Sequence, residues 1–172
     1  MSKRMLVGAA ALLVAALLAG CGRGTTFGKQ TLSFTEKQND DSFSFADNAP
    51  KSPPSNGDEP TLSNGDQITF TTDMIDGSGK HVGDLDATCT VTATTTGSFD
   101  DSRAQCIGTA TIPGGTLTLT VGGTAFGAGT TRGAIVGGTG DYAGATGTFT
   151  SSDESGTDKP SLDTFQLFIP HQ

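Results

Sequence analysis

The chain has 172 residues, with 10 Lys and Arg against 18 Asp and Glu, and a formal net charge of -8. This acidic balance excludes a basic patch for nucleic acid as the main feature, and the length suffices for one domain. Charged residues make up only 16% of the chain, too few for an acidic disordered protein, whereas its 25 glycines and many threonines and serines are typical of short strands and tight turns.

The first twenty residues have the pattern of a secretory signal. A basic start precedes an apolar run at 6–18, which is too short to span a bilayer comfortably. Leu18-Ala19-Gly20-Cys21 closes the run and resembles the lipobox of bacterial lipoproteins, in which the cysteine is lipidated and becomes the mature N-terminus. The alternative is an ordinary signal with an incidental cysteine. The resemblance predicts a signal peptide at 1–20 and an extracytoplasmic protein anchored to the membrane of the bacterial cell envelope through Cys21.

A short polar segment separates this signal from the domain. Residues 21–30 are small and polar, and predict a lipidated, flexible stalk before a domain at 31–172. The first strand is predicted to follow directly, with Leu32, Phe34 and Glu36 on one face.

The region that follows alternates between loop and strand signals. Residues 48–66 are rich in Pro, Asn, Gly and Asp, and predict a flexible loop.

From Gln67 onward the apolar residues recur with a period of two, which is that of half-buried strands. The positions in phase are Ile68, Phe70, Thr72 and Met74; Ala87, Cys89, Val91 and Ala93; Ala104, Cys106, Gly108, Ala110 and Ile112; Leu117, Leu119 and Val121; Ala134 and Val136; Ala145, Gly147 and Phe149; and Phe165, Leu167 and Ile169. About eight strands with short connections predict an all-β fold, an eight-stranded antiparallel β-barrel, with a β-sandwich as the alternative.

Small side chains dominate the predicted inner face of the middle strands, at Ala87, Cys89, Ala93, Ala104, Cys106, Gly108 and Ala110. An eight-stranded barrel is either just filled by large side chains or holds one small ligand. Small inward residues favour a ligand cavity. The alternative is an interior filled by Phe34, Phe70, Phe149 and Phe165.

Two cysteines remain besides Cys21. Cys89 and Cys106 lie in phase with their apolar faces, and a hairpin centred on 97–101 would bring them nearly opposite one another. An oxidising compartment permits a disulfide, so a cross-strand bridge is predicted. The alternative is that one of the two is a free thiol in a pocket.

A series of motifs resembles the allene oxide cyclase barrel and dirigent superfamily. The most specific is Val-Gly-Gly-Thr-Gly-Asp-Tyr-Ala-Gly-Ala-Thr-Gly at 136–147, preceded by Phe-Thr at 70–71, Cys-Thr-Val at 89–91 and Cys-Ile-Gly-Thr at 106–109. The resemblance covers about Gly65 to Phe168. It implies an eight-stranded barrel with a hydrophobic central pocket, whose plant members steer the cyclisation or coupling of reactive intermediates, and it allows an oligomer.

The resemblance also implies candidate site residues. A functional acid of the family falls at Glu36, where a carboxylate in an apolar cavity would have a raised pKa through desolvation and could donate or accept a proton. The alternative is a strand that ends at Thr35 and leaves Glu36 solvated. Cys89 matches a family cysteine. Thr72 stands where the cyclases carry Asn after Phe-Thr, and this difference argues against allene oxide cyclisation itself as the reaction. Phe70, Thr72 and Cys89 are therefore the candidate pocket residues.

The leading hypothesis is a lipid-anchored barrel that binds a small hydrophobic molecule and guides its cyclisation or isomerisation, in which case the enzyme class is isomerase or cyclase. The alternative is a non-catalytic surface binding or structural module. No cofactor and no metal site are expected, because His81 and His171 are far apart and no Cys/His metal spacing is present in the sequence.

Overall fold

The structure is a computed structural model that describes residues 26–38, 42–51, 60–125, 129–153 and 160–171. The predicted signal peptide, Cys21 and the first half of the predicted stalk lie outside these residues. Within the described ranges, no helix is long and apolar enough to cross a membrane.

Nine strands account for most of the described chain. They are β1 (Phe27–Gln38), β2 (Ser44–Ala46), β3 (Gln67–Ile75), β4 (His81–Ala93), β5 (Arg103–Ile112), β6 (Gly115–Ala125), β7 (Thr130–Gly138), β8 (Thr146–Asp153) and β9 (Ser161–Pro170). Their order in one antiparallel sheet is β1-β9-β8-β7-β6-β5-β4-β3-β2, and β1 also pairs with β3. This last pairing closes the sheet, so the prediction of an eight-stranded antiparallel β-barrel is confirmed, with β2 as an additional short strand beside β3.

The first strand is longer than the sequence predicts. β1 begins at Phe27, four residues before the expected domain boundary at 31, and pairs with β9 from Phe27 opposite Pro170 to Glu36 opposite Ser161. The polar residues at its start show no apolar alternation, which is why they resembled a stalk. Backbone hydrogen bonds to β9 hold them in the sheet whatever their side chains.

The barrel closes through a short ladder between β1 and β3. Residues 35–38 pair with 72–75, and β2 then takes over by pairing with 67–69. Between the two ladders, the Ser42 hydroxyl donates to the Thr71 carbonyl (2.6 Å) and accepts from the Thr71 N–H (3.0 Å). One serine therefore satisfies the backbone groups of Thr71, which neither ladder includes.

The predicted loop at 48–66 has no strand in its described parts, 48–51 and 60–66, while 52–59 lie outside the described residues. Its second part is attached to the barrel. Leu62 is buried and its N–H donates to the Gly97 carbonyl (2.7 Å), while the buried Asp66 carboxylate accepts from the backbone N–H groups of Asn48 (2.8 Å) and Ser63 (2.6 Å).

The alternation along β7 differs from the prediction. Ile135 is buried, whereas Ala134 and Val136, which the sequence places in phase with the strands, are exposed. The sequence pattern is misleading here because the inward position before Ile135 is occupied by Gly133. This glycine lies so close to Thr120 and Val121 that a Cβ would be 2.6 Å from the Thr120 carbonyl oxygen. Because glycine has no side chain, it hides the true phase of the strand.

One end of the barrel, which we call the packed end, is filled by side chains. It contains the start of β1, the end of β9 and the turns after β3, β5 and β7. The Tyr142 hydroxyl, in the 3-10 turn Gly140–Tyr142, donates to the Pro113 carbonyl (2.9 Å) across two of these turns. Gly140 has a φ of 61° and lies so close to Gly114 that a Cβ would be 2.1 Å from its carbonyl oxygen. The glycine-rich segment therefore allows these two turns to pack closely.

Three phenylalanines fill part of the interior beyond the packed end. Phe165 is fully buried, with its ring centroid 5.1 Å from that of Phe149 and 6.0 Å from that of Phe34. They occupy the side of the barrel formed by β1, β8 and β9. The opposite wall, formed by β4 and β5, carries the small residues.

The predicted disulfide is present between β4 and β5. Cys89 and Cys106 are direct partners in the ladder, with Cα atoms 4.0 Å apart, and they form a disulfide bond.

Replacing both cysteines by alanine should lower the free energy of unfolding by roughly 3 kcal/mol, because the bridge restricts a loop of intermediate length in the unfolded chain. Urea denaturation measures the difference. The wild-type protein under reducing conditions is the control and should resemble the double variant. Equal denaturation midpoints for the oxidised wild type and the variant would contradict the prediction.

Candidate functional site

A cavity of about 180 Å³, which we call the inner chamber, lies in the half of the barrel away from the packed end. Its wall on β4 and β5 consists of the small residues Ala87, Cys89, Ala104, Cys106 and Gly108. Larger apolar side chains, among them Leu85, Leu119, Val121 and Phe149, form most of the remainder. The small inward residues thus leave the space that the sequence indicated, and the phenylalanines fill only part of the interior.

A second cavity of about 290 Å³, the outer chamber, adjoins the first where β1 ends and β9 begins. Three phenylalanines line it, Phe43, Phe70 and Phe99, together with Ile68. Glu36 and Phe70 line both chambers. These two residues therefore stand at the junction between the chambers.

The structure places the predicted site residues around this junction. Glu36 and Phe70 lie at the junction itself, Thr72 lines the outer chamber, and Cys89 lines the inner chamber. Cys89 is part of the disulfide, so in this oxidised form its sulfur offers no thiolate.

Glu36 points inward because β1 does not end at Thr35. The strand continues to Gln38, and Glu36 is held between Ser161 of β9 and Met74 of β3. It shares the inner face with Leu32 and Phe34, as the alternation indicated. Its carboxyl group is therefore presented to the cavity by backbone pairing on both sides.

A second acid, Asp163 of β9, lies beside Glu36 and was missed by the sequence reasoning. It is fully buried and pairs with Phe34 on one side and Ser151 on the other, and Ser151 in turn pairs with Thr131. The polar side chains of these strands thus form a row across the inner face of β7, β8 and β9. The sequence did carry a signal for Asp163, because the alternation along β9 places this residue on the same face as the buried Phe165.

Burial, together with charge repulsion from Glu36 and a hydrogen bond between the two carboxyl groups, raises the pKa of the Asp163 carboxyl to about 8. The Ser151 hydroxyl opposes this rise. No donor among the described residues lies in good hydrogen-bonding geometry to either Asp163 oxygen, so its charged form is poorly stabilised. At neutral pH, Asp163 therefore keeps its proton beside Glu36.

Such a pair can exchange protons with a bound molecule. When two carboxyl groups share one apolar site, one of them holds a proton and the other carries the charge. Glu36 lines the chambers and Asp163 lies behind it, so Glu36 is the member that a ligand can touch. The arrangement is suited to general acid–base chemistry.

The Thr72 hydroxyl is a further polar group of the outer chamber. Its side chain is 3% exposed, and its Oγ1 has no hydrogen-bond partner in the part of the chain that the structure describes. A buried hydroxyl without a partner is unfavourable, so a ligand that supplied one would be stabilised there.

One other cluster of ionisable side chains lies on the outside of the barrel. His81 Nε2 is 2.9 Å from Asp84 Oδ1 and 3.9 Å from Asp73 Oδ1. These three residues could hold a metal ion together. The hydrogen bond to Asp84 raises the pKa of His81, which favours the charged imidazolium beside these carboxylates.

The buried acid should make the protein less stable as the pH rises. The folded protein keeps the Asp163 proton up to about pH 8, whereas the unfolded chain loses it near the ordinary value of 3.8. Between these values the folded state binds more protons, so its stability falls with increasing pH. We expect Tm to decrease between about pH 4 and about pH 8, and Asp163→Asn to remove most of the decrease.

Differential scanning calorimetry across this pH range measures the effect. Asp100→Asn, at an exposed acid of the β4–β5 loop, is the matched control and should retain the wild-type pH dependence. A decrease in Tm of the same size in the Asp163→Asn variant would contradict the assignment.

Solved structures with the same barrel are similar to this one at low sequence identity. Pyocyanin demethylase has a TM-score of 0.62 at 24% identity, covering 80% of this chain and 99% of that one. A pterocarpan synthase dirigent protein has a TM-score of 0.59 at 17% identity, covering 88% and 89%. An exo-specific intermolecular Diels-Alderase has a TM-score of 0.57 at 13% identity, covering 82% and 98%. These similarities show the fold.

The family comparison is more direct. A search of curated proteins found no match to this chain. The model of the allene oxide cyclase barrel like domain matches residues 25–164. Because this match spans well over half of the chain, the protein belongs to the allene oxide cyclase barrel like family, as the motifs around 136–147 indicated.

Proposed function

We propose that this barrel binds a small hydrophobic molecule in its chambers and guides the cyclisation or isomerisation of that molecule, with Glu36 as the group that transfers protons. The observation that carries the proposal is the pair formed by Glu36 and Asp163 at the wall of an apolar cavity. Acids whose pKa is strongly perturbed by burial and by a second acid in a cavity are typical of functional sites, since such an arrangement reduces stability.

The chambers contribute by restricting the ligand. Apolar walls select a compact conformation of a hydrophobic molecule and exclude water from it, which lowers the entropic barrier to ring closure. The inner chamber, with walls such as Ala87 and Leu119, is shaped for the apolar part. Phe70 at the junction would then hold the reacting part next to Glu36.

The carboxyl pair contributes proton transfer. An isomerisation removes a proton from one atom and returns one to another, and an ionised carboxylate next to a protonated one supports both steps. The ionised Glu36 accepts the proton from the ligand. Glu36, once protonated, returns a proton to another atom of the ligand, while Asp163 keeps its own proton and donates a hydrogen bond to the Glu36 carboxylate before the first step and after the last.

The similar folds support chemistry on a small organic molecule. By their names they include a demethylase, a dirigent protein that is a pterocarpan synthase, and a Diels-Alderase. The alternative, a non-catalytic module with a packed interior, is less well supported, because a filled barrel would leave no chamber beside the carboxyl pair.

Filling the inner chamber should abolish ligand uptake. Ala87→Leu adds three carbon atoms to a wall of the chamber, whereas Ala134→Leu, its control, adds them on the exposed face of β7. Native mass spectrometry with added 2-naphthylmethanol, a neutral hydrophobic probe, should show a bound molecule on the wild type and on Ala134→Leu but not on Ala87→Leu. Equal uptake by both variants, or none by the wild type, would contradict the proposal.

We also propose that the protein is lipid-anchored in the bacterial cell envelope through Cys21, on the support of the Leu-Ala-Gly-Cys segment at 18–21. Two or more acyl chains give stable membrane binding. Cys21→Ser should therefore move the protein from the membrane fraction to the soluble fraction and abolish incorporation of a labelled fatty acid. The double variant Cys89→Ser/Cys106→Ser, which keeps Cys21, should still be labelled. Unchanged labelling of the Cys21→Ser variant would refute the anchor.

A further inference from the structure

Two polar groups of the outer chamber differ in how far the fold satisfies them. Glu36 interacts with the neighbouring Asp163. The Thr72 side chain is almost fully buried and lines the same chamber, yet within the described parts of the chain its Oγ1 meets no hydrogen-bond partner. Burying a hydroxyl without a partner is unfavourable, and an unpaired donor is the rarer case because an oxygen acceptor has a second lone pair. The O–H of Thr72 is therefore available to an acceptor atom of a ligand.

Thr72 and Glu36 are diagonal neighbours where the barrel closes. Glu36 pairs with Met74, and Thr72 lies two residues before Met74 on β3, so both side chains point to the same side of the sheet. Diagonal neighbours in an antiparallel ladder have Cα atoms about 7 to 8 Å apart. The hydroxyl and the carboxyl group do not bond to each other. One small functional group of a ligand can therefore lie between them and contact both.

A carbonyl group with an adjacent C–H bond matches these two contacts. Its oxygen accepts a hydrogen bond from a hydroxyl, and the same group makes the adjacent C–H bond acidic enough for a positioned carboxylate to remove the proton. As the proton leaves, negative charge develops on the carbonyl oxygen, where a preorganised O–H donor stabilises it. An ether or an alcohol would accept the hydrogen bond without activating a C–H bond.

We propose that the ligand of this barrel is a hydrophobic β,γ-unsaturated ketone, that Thr72 is a catalytic residue whose hydroxyl binds the ketone oxygen, and that the reaction moves the double bond into conjugation with the carbonyl. The inference rests on the proposed function, since it names the substrate class and the reaction of the same site at Glu36.

The reaction is balanced within the ligand and one carboxyl group. Glu36 takes a proton from the carbon between the carbonyl and the double bond, and the C–H electron pair spreads into a dienolate whose charge lies on the oxygen at Thr72. Glu36 is neutral at this stage and does not repel that charge. It then returns the proton to the far carbon of the former double bond. Phe43, Phe70 and Phe99 line the chamber and provide apolar surface for the planar intermediate.

The bicyclic β,γ-octalone, a ketone of the naphthalene skeleton with its double bond at the ring fusion, is a suitable probe. Its isomerisation gives the conjugated octalone, whose formation is followed by ultraviolet absorbance. The full-length protein in mild detergent at pH 7 is compared with detergent alone. We expect the wild-type protein to raise the rate at least about a hundredfold, as for a positioned general base.

Variants on β3 test the role of the hydroxyl. Thr72→Val has the same shape without the O–H and should lower kcat at least about tenfold, whereas Thr72→Ser should retain most of it. The Tm of Thr72→Val should not fall, because a methyl group replaces a buried hydroxyl without a partner. Thr69→Val, on the exposed face of the same strand, is the matched control and should convert the octalone at the wild-type rate.

The outcomes distinguish this inference from the function on which it rests. If the wild type binds 2-naphthylmethanol but converts the octalone no faster than detergent alone, the ketone is refuted and the ligand-binding barrel remains. If Thr72→Val keeps the wild-type kcat, or if Thr72→Ser loses as much kcat as Thr72→Val, the role of the hydroxyl is refuted. If neither the alcohol nor the ketone binds, the inference and the proposed function fail together.

Discussion

The short ladder between β1 and β3 is the constraint on which the interior of this protein depends. Only residues 35–38 and 72–75 take part, yet this pairing converts an open sheet into a closed barrel. Glu36 lies within the ladder, opposite Met74. Without closure, the face of β1 that carries Glu36 would lie at a sheet edge and be exposed to water, where solvation would favour the charged forms of both Glu36 and Asp163. The enclosed chambers and the buried charge are therefore consequences of the same four residue pairs.

The carboxyl pair shows how the stable and the functional parts of the barrel are divided. The packed end and the aromatic group around Phe165 bury apolar surface and bridge turns through hydrogen bonds such as that of Tyr142. The other half contains a cavity, a buried Thr72 hydroxyl that no described residue satisfies, and an acid that retains its proton, all of which reduce stability. A scaffold that is well packed at one end can tolerate these features at the other.

Much of the fold follows from the period of two in the sequence, but the exceptions are informative. The alternation predicted the eight barrel strands, the inward face of β1 and the opposition of Cys89 and Cys106. It missed β2, whose three residues are too few to show a period, and it misjudged β7 because Gly133 has no side chain. Both cases reflect the limits of a pattern that is read from side chains alone.

The candidate site was predictable only in part. Glu36, Phe70, Thr72 and Cys89 could be selected as inward residues, and Asp163 carried the same signal through its phase with Phe165. The proximity of Glu36 and Asp163, however, depends on the register between β1 and β9, two strands at opposite ends of the chain. Neither strand contains information about that register by itself, because it is set by how the whole sheet closes.

The direction of β1 also bears on how a tethered barrel would face its surroundings. β1 begins at the packed end and runs toward the chambers, and only five residues lie between Cys21 and Phe27, so that a fully extended chain would span about 20 Å from one to the other. An acyl anchor at Cys21 would hold the packed end nearest the lipid and turn the mouth of the barrel outward. With the proposed anchor, such an orientation would let the protein take up a ligand from the surrounding aqueous space and not from the bilayer.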